Sequence, residues 1–174
     1  GHSVDKVRRK FGKALAEEHP VYPEEGGDRV RTVPVPDSAN TAALGYADQS
    51  IKMGVPNKYE IGLIRSHYVG RTFIAPGQNN RAMKVKVKFN PVEGVLQDKK
   101  IVLVDDSIVR GTTSRSLVHL IREAGPKEVH MRVSSPPVTH PCKYGMDFPS
   151  REELIANHYD CDAEKIGEAL GVDS

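Results

Sequence analysis

The ten residues VDDSIVRGTT, Val104 to Thr113, set two carboxylates side by side at the end of an apolar run and follow them with a loop suited to an anion. Asp105 and Asp106 come directly after Ile101, Val102, Leu103 and Val104, whose β-branched content reads as a buried strand. Beyond them, Gly111 permits close approach to the backbone, and Ser107, Thr112 and Thr113 bring hydroxyl donors. The helix that follows offers unpaired N–H groups and the positive end of its dipole. These features suit a phosphate. The acids upstream would repel that same anion, so they must meet something neutral or cationic, and sugar hydroxyls or Mg²⁺ fit. A sugar phosphate with a metal close by satisfies both halves. An Asp pair after a strand, taken alone, is more often a loop opening with a helix cap, and Thr-Thr a cap for the next helix. The complete stretch, with its apolar strand, acids, small-residue loop and amphipathic helix, favours a ligand.

Several elements must position these residues. Ser3 precedes a helix over residues 3–19 with Val4, Val7, Phe11, Ala14 and Leu15 at helical spacing, ended by Pro20. Val30, Val33 and Val35 predict a short strand, and Asp37 or Ser38 is placed to cap a helix that stops at Gly54. YEIGLI, Tyr59 to Ile64, reads as one further strand. A long Gly-, Asn- and Arg-rich stretch follows, of the kind that serves as a lid or binding loop. Lys84, Lys86 and Lys88 alternate with apolar residues, which predicts a strand with one wet face rather than a nucleic-acid patch. KKIVLVDD, TTSRSLVHLIREAG and EVHMRVSSPP then read as strand, helix and strand. Short helices are expected at SREELIANH, with Ser150 and Glu153 as a capping box, and at DAEKIGEALG. This order predicts an α/β fold, a parallel twisted sheet with helices on both faces. Ligands of such sheets bind at the carboxyl ends of the strands, where the two acids lie.

Composition narrows the class. The chain has 174 residues, 38% hydrophobic and 28% charged, no Trp and a formal net charge of +2. That charge is too mild to argue for nucleic acid, and no nucleic-acid partner is expected; the short apolar runs predict neither a membrane span nor a secretory leader, so a cytoplasmic location is expected. Cys142 and Cys161 are read as free thiols. The seven histidines are read as surface or local packing.

IVLVDDSIVRGTT closely resembles the signature of the type I phosphoribosyltransferases, and its wording is most similar to the glutamine phosphoribosylpyrophosphate amidotransferase family. VPDSANTAALGYA (35–47), YVGRTFIAPGQ (68–78) and SSPPVTHPCKYGMDFPSREELIA (134–156) agree in order. The opening GHSVDKVRRKFGKALAEE resembles the segment where that family's glutaminase domain hands over to its transferase domain.

The resemblance implies one phosphoribosyltransferase domain over residues 1–174, without the glutaminase domain. It implies the type I phosphoribosyltransferase fold with a long flexible active-site loop. The activity implied is Mg²⁺-dependent displacement of pyrophosphate from phosphoribosyl pyrophosphate by ammonia, drawn from glutamine in the full enzyme. The product is 5-phosphoribosylamine, at the first step of purine biosynthesis. Asp37 and Ser38 would bind pyrophosphate, with Ser38 also a Mg²⁺ ligand. Asp105 and Asp106 would take the ribose hydroxyls and the metal, and Ser107, Val109, Arg110, Gly111, Thr112 and Thr113 the 5-phosphate. Residues from about Arg65 to Arg81 would form the closing loop, with Tyr68 and Arg71 catalytic and Arg65, Arg71 and Gln78 in contact with substrate. Where relatives carry Lys-Asn-Arg before the Tyr this chain has IRSHY, so Arg65 supplies the charge with a different geometry.

Cys142 matches one thiolate of a 4Fe-4S cluster found in part of the family, expected only in a longer form of the protein. The implied partners are the substrate, ammonia, a glutaminase domain or subunit, and further copies of the chain as a homo-oligomer. Two other functions stay open: a regulator that binds phosphoribosyl pyrophosphate without turnover, and a salvage enzyme that accepts a nucleobase.

Overall fold

The structure, a computed structural model, describes residue 1 and residues 3–66, 88–142 and 150–174. Helix α1 (Val4–Glu18) leads to β1 (Val30–Pro34), α2 (Asn40–Lys52) and β2 (Asn57–Tyr59). Two short strands, β3 (Leu63–Arg65) and β4 (Phe89–Pro91), pair antiparallel, and a single helical turn, α3 (Glu93–Leu96), follows. Next come β5 (Lys100–Asp105), α4 (Thr112–Glu123) and β6 (Glu128–Val133). A 3-10 turn at Arg151–Glu153 and helices α5 (Ile155–His158) and α6 (Ala163–Leu170) complete the described elements.

The main sheet runs β2-β1-β5-β6, each pair parallel. From β1 the chain winds outward to β2, and from β5 it winds outward the other way to β6. Right-handed crossovers therefore send α2 and α4 to opposite faces. Packing agrees: Val33, Ile101, Leu103 and Val129 cluster with Leu117 and Ile121 of α4, whereas Val30, Val102 and Val104 cluster with Ala42, Ala43 and Tyr46 of α2. Ile101, Val102, Leu103 and Val104 are all 0% exposed, as an apolar run in a doubly covered central strand requires. Burial of each such side chain contributes roughly 1.5–3 kcal/mol.

YEIGLI does not form the single strand expected of it. Asn57–Tyr59 lies beside β1 and Leu63–Arg65 belongs to the small sheet. The division comes where Gly62 passes so close over the core that a Cβ would stand 2.9 Å from both Val33 methyls and 3.0 Å from Leu96. Asp37 and Ser38 do not cap α2, because Ala39 holds the cap position without a side-chain bond. Ser3 and Ser150 do hold cap positions, and the Ser150 N–H donates to Glu153 Oε2 at 3.1 Å. Lys84 and Lys86 lie outside the described residues. The sheet edge at β6 is partly covered: the Asp173 N–H donates to the Val129 carbonyl and the Met131 N–H to the Ser174 carbonyl, each at 2.8 Å. Among the described residues, no helix is long and apolar enough to cross a membrane.

Helices α1 and α2 meet backbone to backbone. A Cβ on Gly12 would fall 1.8 Å from the Ala42 carbonyl oxygen, and one on Gly45 would fall 2.2 Å from that of Arg9. Gly12→Ala must therefore push the helices apart, and is expected to lower stability in urea by about 1–3 kcal/mol. Gly94→Ala, where nothing lies within 4 Å of the added methyl, is expected to change it by less than about 0.5 kcal/mol. Equal stability of the two variants would refute the close crossing.

Candidate active site

The site begins with a register. Pro34 of β1 stands opposite Val104 of β5, and the Val35 N–H donates to the Val104 carbonyl at 2.8 Å. The loops after both strands therefore leave the same rim as neighbours. On the other side of β5, Val133 of β6 stands opposite Asp105, and Ser134 donates to the Asp105 carbonyl from its N–H at 3.0 Å and its hydroxyl at 3.3 Å. The winding reverses between β1 and β5, which opens a crevice outside their carboxyl ends.

Asp105 ends β5 half-buried, and burial pushes its pKa from the ordinary 3.8 up to about 7. The adjacent Asp106 carboxylate pushes the same way, while the Asp106 N–H, donated to Asp105 Oδ1 at 2.8 Å, pulls against it. Ser107 donates to Asp106 Oδ1 at 3.3 Å. The pair thus places two carboxylates over the crevice, one of them held by its surroundings near neutrality.

The turn after the acids closes on Gly111, which has φ 73° and holds the cap position of α4. Glycine is required there twice over, because the left-handed backbone disfavours a side chain and a Cβ would lie 2.4 Å from Ile155 Cδ1. With no side chain at the cap, the first N–H groups of α4, at Thr112 and Thr113, have no side-chain acceptor there and can serve an anion. Val109 accepts a hydrogen bond from the Ile155 N–H at 2.9 Å, which pins the loop to α5. Arg110 is turned to Glu153, with Nε and Nη2 donating at 3.2 and 3.3 Å. Sequence reasoning missed this supporting role of Glu153 and Ile155, since nothing near residue 110 indicates a contact 43 residues on.

The loop after β1 turns at residues 36–39, with a cis peptide bond between Pro36 and Asp37. Exposed Asp37 accepts from Arg65 Nη1 at 3.3 Å, which joins two of the expected substrate contacts. Half-buried Arg8 of α1 donates from Nη1 to the Ser38 carbonyl at 3.0 Å, a contact with no signal in the sequence. Tyr68, Arg71 and Gln78 lie outside the described residues. Cys142 is half-buried and Cys161 exposed, and both are thiols. Two cysteines fall short of the four thiolates that a 4Fe-4S cluster takes, so this chain's own donors do not fit one.

No protein-family model matches the chain. The amidophosphoribosyltransferase of Methanocaldococcus jannaschii is 51% identical over all 174 residues, and the chloroplastic enzyme of that name from Vigna aconitifolia is 54% identical over the same span. The solved structure of glutamine phosphoribosylpyrophosphate amidotransferase from B. subtilis, complexed with ADP and GMP, superposes with a TM-score of 0.79 at 47% identity, covering 99% of this chain and 35% of that one. Along its whole length this chain is homologous to amidophosphoribosyltransferases. It spans about a third of the length of the curated relatives it matches, 34% and 33% for the two enzymes above. Within that amidophosphoribosyltransferase third, the parallel sheet flanked by helices is the type I phosphoribosyltransferase fold expected from the sequence.

The raised Asp105 pKa carries a pH dependence for the ligand-free fold. Between about pH 4 and pH 7 the folded chain binds this proton more tightly than the unfolded chain, so stability falls as pH rises through that window. Asp105→Asn removes the buried charge. It is expected to raise the melting temperature at pH 8 in metal-free buffer, with the gain shrinking towards pH 5; a gain that grows on acidification would contradict the burial.

Proposed function

We propose that this chain carries the phosphoribosyl-transfer reaction of an amidophosphoribosyltransferase. It would hold phosphoribosyl pyrophosphate with Mg²⁺ while ammonia displaces pyrophosphate from C1 of the ribose, giving 5-phosphoribosylamine. The observation that carries this reading is the pairing of β1 with β5, which sets an acid pair, an uncapped helix start and a second tight turn on one rim. A ligand with an anion at each end and hydroxyls between matches that order.

Each part then has its own role. The N–H groups of Thr112 and Thr113 and the hydroxyls of the 107–113 loop hold the 5-phosphate. Asp105 and Asp106 accept hydrogen bonds from the ribose hydroxyls, which fixes the ring above the rim. The 36–39 turn receives the pyrophosphate, with Arg65 beside it. Among the described residues, no group of three or more His, Cys, Asp or Glu side chains is gathered for a metal. A cation here would rest on Asp105 and Asp106, with Ser38 and substrate oxygens, which suits the habit of Mg²⁺ of taking one or two carboxylates plus phosphates. When bound, Mg²⁺ supplies charge neutralisation for the leaving pyrophosphate.

The C–N bond to ammonia forms as the C1–O bond to pyrophosphate breaks, and the amine then sheds a proton. No side chain acts as nucleophile. The chain's contribution is alignment, fixed dipoles and exclusion of water, the last two assigned in this reading to Tyr68, Arg71 and Gln78. In the relative named glutamine phosphoribosylpyrophosphate amidotransferase the nitrogen donor is glutamine by name; for this chain ammonia is the immediate nucleophile.

Ammonia-dependent release of pyrophosphate from phosphoribosyl pyrophosphate, with Mg²⁺, is the direct test. Binding without turnover would favour a sensor, and turnover with a nucleobase in place of ammonia a salvage enzyme. The double variant Asp105→Asn with Asp106→Asn is expected to weaken Mg²⁺-dependent substrate binding by at least about 100-fold in calorimetry, since two charged contacts are lost together. Unchanged affinity would remove the acid pair from the site. Arg71→Ala is expected to lower turnover about 100-fold with little change in substrate affinity, as for a group that acts in the transition state; equal losses in both would remove that role.

A further inference from the structure

We propose that Arg8 of α1 is a positioning residue for the pyrophosphate-binding turn, acting through the Ser38 carbonyl. The proposal rests on the reading of residues 36–39 as that turn. Within the turn itself the backbone bonds are long: Ala39 N–H to the Val35 carbonyl at 3.3 Å and Asn40 N–H to the Asp37 carbonyl at 3.4 Å. The Arg8 guanidinium reaches Ser38 from 30 residues away at 3.0 Å, shorter than either and charge-assisted. The carbonyl it grips belongs to the peptide between Ser38 and Ala39, so it fixes the tilt of that peptide plane and, with it, the path of the backbone through the turn. The N–H groups of Asp37 and Ser38 have no acceptor among the described residues and stay open for an anion.

The guanidinium also stands on a rigid base. Alongside the glycine crossing, Lys13 pairs with Asp48 at 3.4 Å, Gln49 donates to Glu17 at 2.8 Å and the Tyr46 hydroxyl donates to the His19 carbonyl at 3.0 Å. These contacts lock α1 to α2, the helix that begins directly after the turn. Arg8 therefore holds the turn from one side while α2 holds it from the other. A guanidinium also leaves positive potential beside the position taken by a highly charged leaving group, without touching it.

Calorimetric titration of the 174-residue chain with phosphoribosyl pyrophosphate and, separately, with ribose 5-phosphate, both in Mg²⁺, tests the role. Arg8→Ala is expected to weaken the first about tenfold, as for loss of one charged hydrogen bond, and to leave the second unchanged. Arg8→Lys, whose ammonium still donates to a carbonyl, is expected to recover most of the loss. Gln49→Ala loosens α1 without touching the turn, and is expected to lower the melting temperature while leaving both affinities as they were. Should Arg8→Ala not fold, Arg8→Met, which keeps an apolar stem without a donor, is measured in its place and read the same way. Parent chain that binds ribose 5-phosphate but not phosphoribosyl pyrophosphate would overturn the pyrophosphate reading, and the role of Arg8 with it. Parent chain that binds both, with a variant that loses neither or loses both equally, would overturn the role of Arg8 alone.

Discussion

The parallel pairing of β1 with β5 is the constraint on which the remainder of the molecule depends. One bond beyond the ladder, from Val35 to Val104, decides that the turn after β1 and the acids after β5 emerge side by side. Because the chain winds outward in both directions from this pair, no crossover helix covers the gap between their ends, and two loops distant in sequence share one mouth. The apolar side chains of β5 serve the chemistry indirectly. By filling both layers of the core they hold the strand so that its last residue stops at the water line.

That arrangement works against local electrostatics and tolerates the conflict. Two adjacent carboxylates at a half-buried strand end are unfavourable in the empty protein, and the Asp105 pKa, raised first by burial and further by the neighbouring Asp106, is the visible sign. The arginines at the mouth are meanwhile engaged by acids of the chain itself, Arg65 by Asp37 and Arg110 by Glu153. Side-chain exposure in these pairs runs from 44% to 61%, and pairs so open to water contribute only about 0–1 kcal/mol. In the proposed reaction an incoming phosphate would take either arginine at little cost, since the pairs keep the cations in place without competing strongly for them.

Legibility in the sequence followed the range of the interactions. The buried strand at Lys100–Asp105, the amphipathic helix after it and the βα order could be read because hydrophobic period and β-branched content are local signals. The acid pair and Gly111 were legible for the same reason, as a single stretch carries strand, turn and helix start. The resemblance added Asp37 and Ser38, which alone suggested only a cap, and Arg65, which the fold sets beside Asp37. What escaped was set by long-range packing. Gly62 splits an apolar run into two sheets because of what lies beneath it, and Ala39 rather than a hydroxyl residue takes the cap position of α2. Arg8 does not differ in its neighbourhood from any other charged helix residue, and Glu153 signalled only a capping box with Ser150; the fold alone brings them to Ser38 and Arg110.

The wall that shapes Gly111 comes from Ile155, and the grip on Arg110 from Glu153, 43 residues further along the chain. As the polypeptide leaves the ribosome, the strand and its acids are out well before the segment that sculpts the cradle behind them. The turn is thus completed late in synthesis, and a nascent chain stalled between the two would carry every residue of the motif yet lack its mould.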